Sequence, residues 1–312
     1  MKLYITILSV LFSLYSAQAA ESYHVAGKVG TDRNRSVAQL AITTNNILCV
    51  LEHTGTVTLF AADGSLIRTF STGLKATEAM AVAPDGNLYV LETLMKKKKI
   101  KVRARMRTIN VPNGVNCILF DLSGTRLMSL RLDGLMSAQA AHVVAGKLVV
   151  ADPVKKRLVF FDIKTCKQTA TVERGLRLCC DIFDFCEAPN ETISVANLGA
   201  FSVSRYDLNG KLIGKFGRRG RGLDEFHGCC NPVSVGYLPN GRIVSVEKDP
   251  TRIKIYDADA KNAQKIEGVE ELVKGCSFIP MAIDSAGTIY LAAEKGYIVK
   301  CIPKGQKLLP KK

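Results

Sequence analysis

The sequence predicts an all-β chain folded as a six-bladed β-propeller, and three observations support this prediction. An alternating strand that ends in an aromatic residue, usually followed by aspartate and a small-residue turn, recurs along the chain. Four of the five spacings between copies lie between 41 and 50 residues, the period expected for blades of four short strands. Each copy follows a hairpin whose second strand ends in an acidic or amide residue. The copies are anchored at Phe60, Phe120, Phe161, Tyr206, Tyr256 and, more weakly, Cys301.

The N-terminal segment predicts how the ring of blades closes. Tyr23–Val29 precedes the first complete unit and has no local segment to pair with, and it resembles the outer-strand segment Leu212–Phe216. Because the sixth unit has three strands of its own, we expect Tyr23–Val29 to supply its fourth. Closure of this kind protects sheet edges that would otherwise template aggregation. The propeller is therefore predicted over residues 20–305, followed by a basic tail at 306–312.

The fifth unit carries the features of a known repeat. Phe216-Gly217 opens it, Asn231-Pro232-Val233 leads into a first strand, and Arg252-Ile253 begins a third strand. This order resembles the NHL repeat. The resemblance implies that the first strand of each blade lines a central channel. It also implies a loop face, where second strands join third strands and blades join each other, and a turn face at the opposite end.

Residues 1–19 have the features of a secretory signal peptide. Lys2 provides a positive start, the following residues are mostly apolar, and Ala17-Gln18-Ala19 fits the small-x-small cleavage pattern. The apolar run is short for a membrane span, and no other segment approaches about 18 apolar residues. We therefore expect an exported protein, periplasmic or extracellular, without a transmembrane segment in the mature chain. A composition of 47% hydrophobic and 23% charged residues argues against wholesale disorder.

Five of the ten cysteines are predicted to converge at the loop-face mouth of the channel, since they immediately precede the first strands of three neighbouring blades. Exported thiols tend to pair, so disulfides between neighbouring blades are one interpretation. A metal or iron–sulfur centre is a second, although no Cys-x-x-Cys spacing is present. A redox-active or nucleophilic cysteine with His227 as its base is a third, and plain burial is a fourth. The five residues are Cys179, Cys180, Cys229, Cys230 and Cys276.

The remaining cysteines are expected elsewhere. Cys186 follows Cys180 by six residues, so an extended strand would carry it about 20 Å away, to the other end of the channel. The rest are interpreted as core residues or as a separate bridge: Cys49, Cys117, Cys166 and Cys301.

The acidic or amide residues that end the second strands should form a ring on the loop face. Each could cap its own loop, or some could form a cation or substrate site. Gluconolactonase-like propellers use a Glu/Asn/Asp metal set, and this ring contains those residue types without an arrangement that matches. The ring consists of Glu52, Glu92, Asp152, Asn197, Glu247 and Glu294.

Much of the net charge of +15 lies in an insertion at residues 94–114 of the second unit. From Lys99 to Arg107 basic and apolar residues alternate, which predicts one strand with a basic face and an apolar face. Pro112-Asn113-Gly114 is predicted to turn the chain back into the repeat. The basic residues are Lys96, Lys97, Lys98, Lys99, Lys101, Arg103, Arg105 and Arg107, and a blade-to-blade loop adds Arg218, Arg219 and Arg221.

Two interpretations of these basic residues remain open. They form a solvated surface, or they bind a polyanionic partner such as an acidic glycan, an anionic surface or a protein. Some NHL propellers bind RNA, but export argues against a nucleic-acid target. The basic run also contains no aromatic residue on which bases could stack.

The sequence therefore predicts an exported NHL-type propeller that acts as a noncatalytic binding or scaffold module through its loop face. The alternative is a metal- or thiol-dependent redox protein, or a lactonase- or lyase-like enzyme, with its site at the cysteine-rich mouth. The sequence leaves open whether the protein is an enzyme.

Overall fold

Each repeated phrase of the sequence forms the third strand of a four-stranded antiparallel sheet, and six such sheets build the molecule. The computed structural model describes residues 22–30, 36–103, 105–275 and 277–306. In these residues the alternating segments found in the sequence form strands, which confirms the predicted all-β, six-bladed propeller.

Three predicted features lie outside the described residues: the signal peptide at 1–19, Cys276, and residues 307–312 of the basic tail. Within the described ranges, the one helical element is a short 3-10 turn at Leu198–Ala200. No helix there is long and apolar enough to cross a membrane.

The first three blades follow one another in sequence after strand β1 (Tyr23–Val29). Blade 1 contains β2 (Val37–Ile42), β3 (Leu48–Glu52), β4 (Thr56–Phe60) and β5 (Leu66–Ser71). Blade 2 contains β6 (Thr77–Val82), β7 (Leu88–Val102), β8 (Arg105–Phe120) and β9 (Arg126–Arg131). Blade 3 contains β10 (Ala140–Val144), β11 (Lys147–Asp152), β12 (Arg157–Asp162) and β13 (Gln168–Val172).

The last three blades complete the ring. Blade 4 contains β14 (Phe185–Ala188), β15 (Thr192–Asn197), β16 (Ser202–Tyr206) and β17 (Leu212–Phe216). Blade 5 contains β18 (Ser234–Tyr237), β19 (Ile243–Glu247), β20 (Arg252–Tyr256) and β21 (Gln264–Lys265). Blade 6 contains β22 (Met281–Ile283), β23 (Ile289–Ala292), β24 (Ile298–Pro303) and β1.

Burial decreases from the middle strands of a blade to its outer strand. All six residues of β15 are buried, whereas most residues of β5 and β9 are exposed. The middle strands are covered by neighbouring blades on both sides, so both of their faces must be apolar. Val57 of blade 1 and Ile118 of blade 2, for example, belong to one buried cluster. The hydrophobic core is thus a series of layers between blades.

The aspartate after the aromatic anchor builds the turn into the outer strand. In blade 2 the Asp121 carboxylate accepts hydrogen bonds from the backbone amides of Ser123 and Thr125, both at 2.8 Å. Hydrogen bonding to the Ser123 hydroxyl and to these amides lowers the pKa of Asp121. Gly124 adopts a φ of 92°, which glycine accommodates without steric cost. These roles explain why Asp and Gly recur in the repeat.

The ring closes as predicted. β1 pairs antiparallel with β24, from Tyr23 opposite Pro303 to Val29 opposite Ile298, with a bulge between Val25 and Gly27. The buried Val29 also belongs to a cluster that includes Phe60 of blade 1. β1 therefore joins blade 6 to blade 1 as well as supplying the missing strand.

The basic insertion differs from its prediction. It is a hairpin in which β7 and β8 run beyond the blade and pair with each other as far as Val102 opposite Arg105. Pro112 lies within β8, opposite Met95, so the predicted turn at Pro112-Asn113-Gly114 is wrong. The proline is tolerated because the projecting hairpin has only two strands, and an amide is not needed on the outer side.

The basic residues of the hairpin also lie on different faces from those predicted. Residues opposite each other share a face, and an even-numbered residue of β7 pairs with an odd-numbered residue of β8. Lys97, Lys99 and Lys101 therefore lie on one face, while Lys96 and Lys98 share the other with Arg105 and Arg107. Both faces are basic, and the single strand with one apolar face is wrong.

Removing residues 22–30 should lower the melting temperature sharply, because β24 would become an unpaired edge and the contact with blade 1 would be lost. Thermal unfolding of the truncated protein measures this effect. A synthetic peptide of residues 22–30 should restore part of the lost stability in trans, and a scrambled peptide of the same composition should not. An unchanged melting temperature after truncation would contradict closure by β1.

Candidate functional site

Two neighbouring blades are covalently joined at the loop-face mouth. Cys179, before the first strand of blade 4, forms a disulfide with Cys230, before the first strand of blade 5. The structure therefore confirms the disulfide interpretation for this pair. The buried Asn231 holds the second cysteine in place by exchanging two hydrogen bonds, both 2.8 Å, with the backbone of Lys248.

Each half of the disulfide has a free thiol beside it. The Sγ atom of Cys180 lies 3.5 Å from that of Cys179, and the Sγ atom of Cys229 lies 3.5 Å from that of Cys230. Cys180 and Cys229 are exposed. The sulfurs of Cys179, Cys180 and Cys230 all lie within 4.8 Å of one another. The structure thus brings together four of the five predicted cysteines, and the fifth, Cys276, lies outside the described residues.

His227 is anchored through its backbone. Its N–H donates to the Glu247 carboxylate at 2.9 Å, and its carbonyl accepts from the Asn231 side chain. The contacts described for His227 include none between its imidazole and a cysteine sulfur, so its predicted role as a base stays a prediction.

The acidic ring ties the blade-to-blade loops to the blades. In four blades the residue that ends the predicted second strand accepts a hydrogen bond from a backbone amide in the preceding connection. The four pairs are Glu92 with Lys75 at 2.8 Å, Asp152 with Met136 at 3.0 Å, Asn197 with Arg177 at 2.7 Å, and Glu247 with His227 at 2.9 Å. Glu52 accepts a longer bond from the Thr54 hydroxyl at 3.4 Å, and the Glu294 carboxylate lies against Gly275. These contacts give the ring a structural role.

Blade 5 contains a buried ion network that the sequence analysis missed. Glu247 contacts Lys254 Nζ at 2.6 Å and Arg252 at 2.7 Å, and the side chains of Glu247 and Lys254 are fully buried. Lys254 also donates to the carbonyls of Leu223 and Glu225 at 3.0 and 2.9 Å. Burial lowers the pKa of Lys254, and the nearby Glu247 carboxylate opposes this effect. The network fastens the long loop before blade 5 to the blade itself.

The hairpin presents its cations to solvent. Every described side chain from position 94 to 110 is exposed apart from the half-buried Ile100. Residues 93–120 include no aspartate or glutamate, and no carboxylate of the described residues forms an ion pair with a hairpin lysine. Its positive charge is therefore uncompensated by its own residues.

The second basic cluster is partly compensated. Arg218 pairs with Glu225 at 2.9 Å, and the Arg219 guanidinium lies 5.1 Å from the centre of the Phe201 ring. Arg221 is exposed. This loop contributes less free positive charge than the hairpin does.

A cavity lies at the other end of the channel. It has a volume of about 970 Å³ and is lined by the first strands and by turn-face residues such as Pro84, Gly146 and Pro239. Cys186 lines it, as predicted for the end away from the disulfide. Among the remaining described cysteines, Cys49, Cys117 and Cys301 are buried in the core and unpaired, as one interpretation predicted. Cys166 is half-buried and unpaired, so its prediction as a core residue or part of a bridge is wrong.

Two titratable residues of this cavity were not singled out from the sequence. Asp184 is 8% exposed, and burial raises its pKa to about 7, although the Ser234 hydroxyl and nearby backbone amides oppose the shift. His142 packs edge-on against Phe185 at 5.0 Å, and burial lowers its pKa to about 4. Asp184 directly precedes β14 and Cys186 lies within it, and both line the cavity.

No protein-family model and no curated protein matches this chain. Among solved structures, a streptogramin B lyase structure is similar, with a TM-score of 0.59 and 10% identity over 90% of this chain and 98% of that chain. A likeness at this identity supports the six-bladed propeller fold alone.

The Cys179→Ser/Cys230→Ser double variant should be less stable by about 4 kcal/mol under oxidising conditions, since the disulfide closes a loop over a separation of 51 residues. Urea unfolding measures the change. The matched control is Cys180→Ser/Cys229→Ser, which removes two exposed thiols and should leave stability unchanged. Equal losses in the two variants would contradict the assignment of the disulfide to Cys179 and Cys230.

The buried Asp184 should make stability fall at mildly alkaline pH. Its pKa is about 7 in the folded state and about 3.9 when unfolded, so the folded state binds more protons and loses stability as pH rises towards 8. His142 has the opposite effect, because its folded pKa of about 4 lies below the unfolded value. The two contributions, each about 3 to 4 kcal/mol in full, oppose each other between about pH 4 and 6.5.

The Asp184→Asn variant separates the contribution of Asp184 to stability from that of His142. From pH 6.5 to 8 the unmodified protein should lose roughly 0.5 kcal/mol of unfolding free energy, and the variant should gain about as much, because His142 in the unfolded state is still losing its proton. From pH 4 to 6.5 the variant should gain roughly 2 to 3 kcal/mol, while the unmodified protein changes little. Urea titrations at each pH provide the measurement, and identical pH profiles would exclude a raised pKa for Asp184.

Proposed function

We propose that this protein is an exported, NHL-type propeller that acts as a noncatalytic binding module, and that its basic hairpin binds an acidic glycan. The observation that carries this proposal is the density of exposed cations on the hairpin, without an acidic residue between positions 93 and 120. Lys99 and Lys101 lie on one face, and Arg105 and Arg107 lie on the other.

The energetic cost of the hairpin supports the proposal that it binds a ligand. A two-stranded ribbon that extends beyond its sheet is only marginally stable in water. Lys97, Lys99 and Lys101 follow one another on one face of β7, and Lys98 is diagonal to Arg107 across the two strands, so like charges repel within the hairpin. A polyanion would remove that repulsion. This is the physical reason to interpret the hairpin as a binding element rather than as an ordinary solvated loop.

The distribution of charge favours a flexible polymer over a planar surface. A membrane can contact only one face of a ribbon at a time, whereas a polysaccharide chain can follow both. The absence of interleaved aromatic residues argues against nucleic-acid bases as the recognised group. An acidic glycan therefore fits better than either alternative.

Heparin, an acidic polysaccharide, is a suitable probe. Replacing Lys96–Lys99 with serine should weaken heparin binding by at least tenfold and reduce the slope of log K against log salt, because fewer counterions are released. Affinity measured by calorimetry at several salt concentrations tests both effects. Vesicles containing phosphatidylglycerol form the second arm, and tighter binding to vesicles than to heparin would replace the glycan by an anionic membrane.

The control must lose the same charge elsewhere. Lys155, Lys164, Lys167 and Lys211 are exposed on blades 3 and 4, and replacing all four with serine removes four charges without touching the hairpin. Heparin binding should be retained in this control. Equal weakening in both variants would show attraction to net charge alone, which contradicts a hairpin site.

A metal- or thiol-dependent centre at the loop-face mouth is the second candidate. The convergence of three sulfurs within 4.8 Å favours it, with Cys229 beside them. If a dithiol reductant opened the Cys179–Cys230 bond, these cysteines would provide thiolates suited to a soft metal ion. Metal analysis and a thiol count on protein purified without oxygen distinguish the candidates. Stoichiometric metal would favour the centre, and a metal-free disulfide would favour the binding module.

A further inference from the structure

We infer that the turn-face cavity of the channel is a binding site for a small organic cation with an apolar body, such as an aryl-alkylammonium compound. This site lies at the opposite end of the channel from the cysteine cluster. The inference is therefore independent of the proposed glycan binding.

The cavity has the size and walls of a ligand site. Its volume of about 970 Å³ lies at the upper end of the range for small-molecule pockets. Most of its lining is apolar and comes from the first strands of the blades, including Met80, Val82, Val235, Met281 and Ile283. Because these strands are held by a closed ring of sheets, the cavity is preformed. Such walls favour a ligand with a substantial apolar part.

The charged residues of the lining indicate the sign of the ligand's charge. The chain contains 43 lysines and arginines, yet none of the described residues that line the cavity is one of them. Three carboxyl groups line it instead: Asp184, Glu187 and Glu191. The pKa of His142, lowered to about 4 by burial, leaves that imidazole neutral at pH 7. The cavity therefore attracts cations within a protein whose net charge is positive.

Among the described residues, none of the three carboxyl groups forms an ion pair. Burial raises the pKa of Glu187, and repulsion from Glu191 raises it further. Burial likewise raises the pKa of Asp184. A cation in the cavity would stabilise the ionised carboxylates and offset both effects. The ligand would thus supply the charge that the described lining lacks.

The apolar walls favour an organic over an inorganic cation. A small metal ion would have to exchange its strongly held hydration shell for a lining of which slightly more than half is apolar, at high desolvation cost. An ammonium group on an apolar body keeps its own charge exposed to the carboxylates while the body is buried. Phe278 and Tyr237 add aromatic rings to the lining, and aromatic rings attract organic cations.

Binding should strengthen as pH rises from 6 to 8, because Asp184 ionises in this range. Ser234 on β18 hydrogen-bonds to Asp184, and Cys186 on β14 interacts with it. The other titratable groups of the lining are His142, Glu187, Glu191 and Tyr237, and Arg205 on β16 interacts with Cys186 and Tyr237. Burial keeps the thiol pKa of Cys186 and the phenol pKa of Tyr237 above their ordinary values, so neither group titrates in this range. His142, with a pKa of about 4, is already neutral at pH 6.

Three compounds with one apolar body test the inference: 4-phenylbutylamine, 4-phenylbutanol and 4-phenylbutyrate. Calorimetry at pH 8 should show at least tenfold tighter binding of the amine than of the alcohol, and no binding of the carboxylate. Equal affinity for amine and alcohol would overturn the cation assignment. Displacement of the amine by millimolar Mg²⁺ or Ca²⁺ would also overturn it, in favour of an inorganic cation.

Variants locate the site. Glu187→Gln, which keeps the size of a partly buried side chain that reaches solvent, should weaken amine binding by three- to tenfold. Asp184→Asn should weaken it at pH 8 and remove the pH dependence. The matched control is Glu173→Gln, whose carboxylate is exposed outside the cavity and should not affect binding. Unchanged amine affinity in Glu187→Gln would refute the site, even if Asp184→Asn fails to fold.

Discussion

The pairing of β1 with β24 is the constraint on which the rest of the molecule depends. It supplies the fourth strand of the last blade from the N-terminal segment, so the first and last blades are held together. An open ring would leave an unpaired edge and would let the first strands separate. The channel, its cavity and the meeting of loops at the mouth all require that the six first strands stay in register around one axis.

Within the closed ring, connections between blades are fixed by polar contacts at strand ends. Glu92, Asp152, Asn197 and Glu247 each hold a loop through a backbone amide, and the Cys179–Cys230 disulfide adds a covalent link between blades 4 and 5. These bonds act together with apolar loop residues that are buried in the core, such as Leu135 and Phe226, to set the geometry of the mouth. The exposed thiols of Cys180 and Cys229 are positioned by the same framework.

The two ends of the channel differ in chemistry. The connections that form the loop face carry the cysteine cluster, and the projecting hairpin of blade 2 carries uncompensated positive charge. The turn face surrounds an apolar cavity with carboxyl groups and no lysine or arginine among its described lining residues. A propeller can keep such different surfaces apart because its blades are rigid and each face is built from a separate set of loops.

The sequence alone determined the repeat, the blade count, the closing strand and the convergence of cysteines, because strand alternation and a regular period are local properties. Tertiary structure decided which cysteines pair, since this depends on distances between blades. It also decided that both hairpin faces are basic, because even-numbered residues of β7 pair with odd-numbered residues of β8. The altered pKa values of Asp184 and His142 arise from burial by several blades at once, and no local pattern reports that burial.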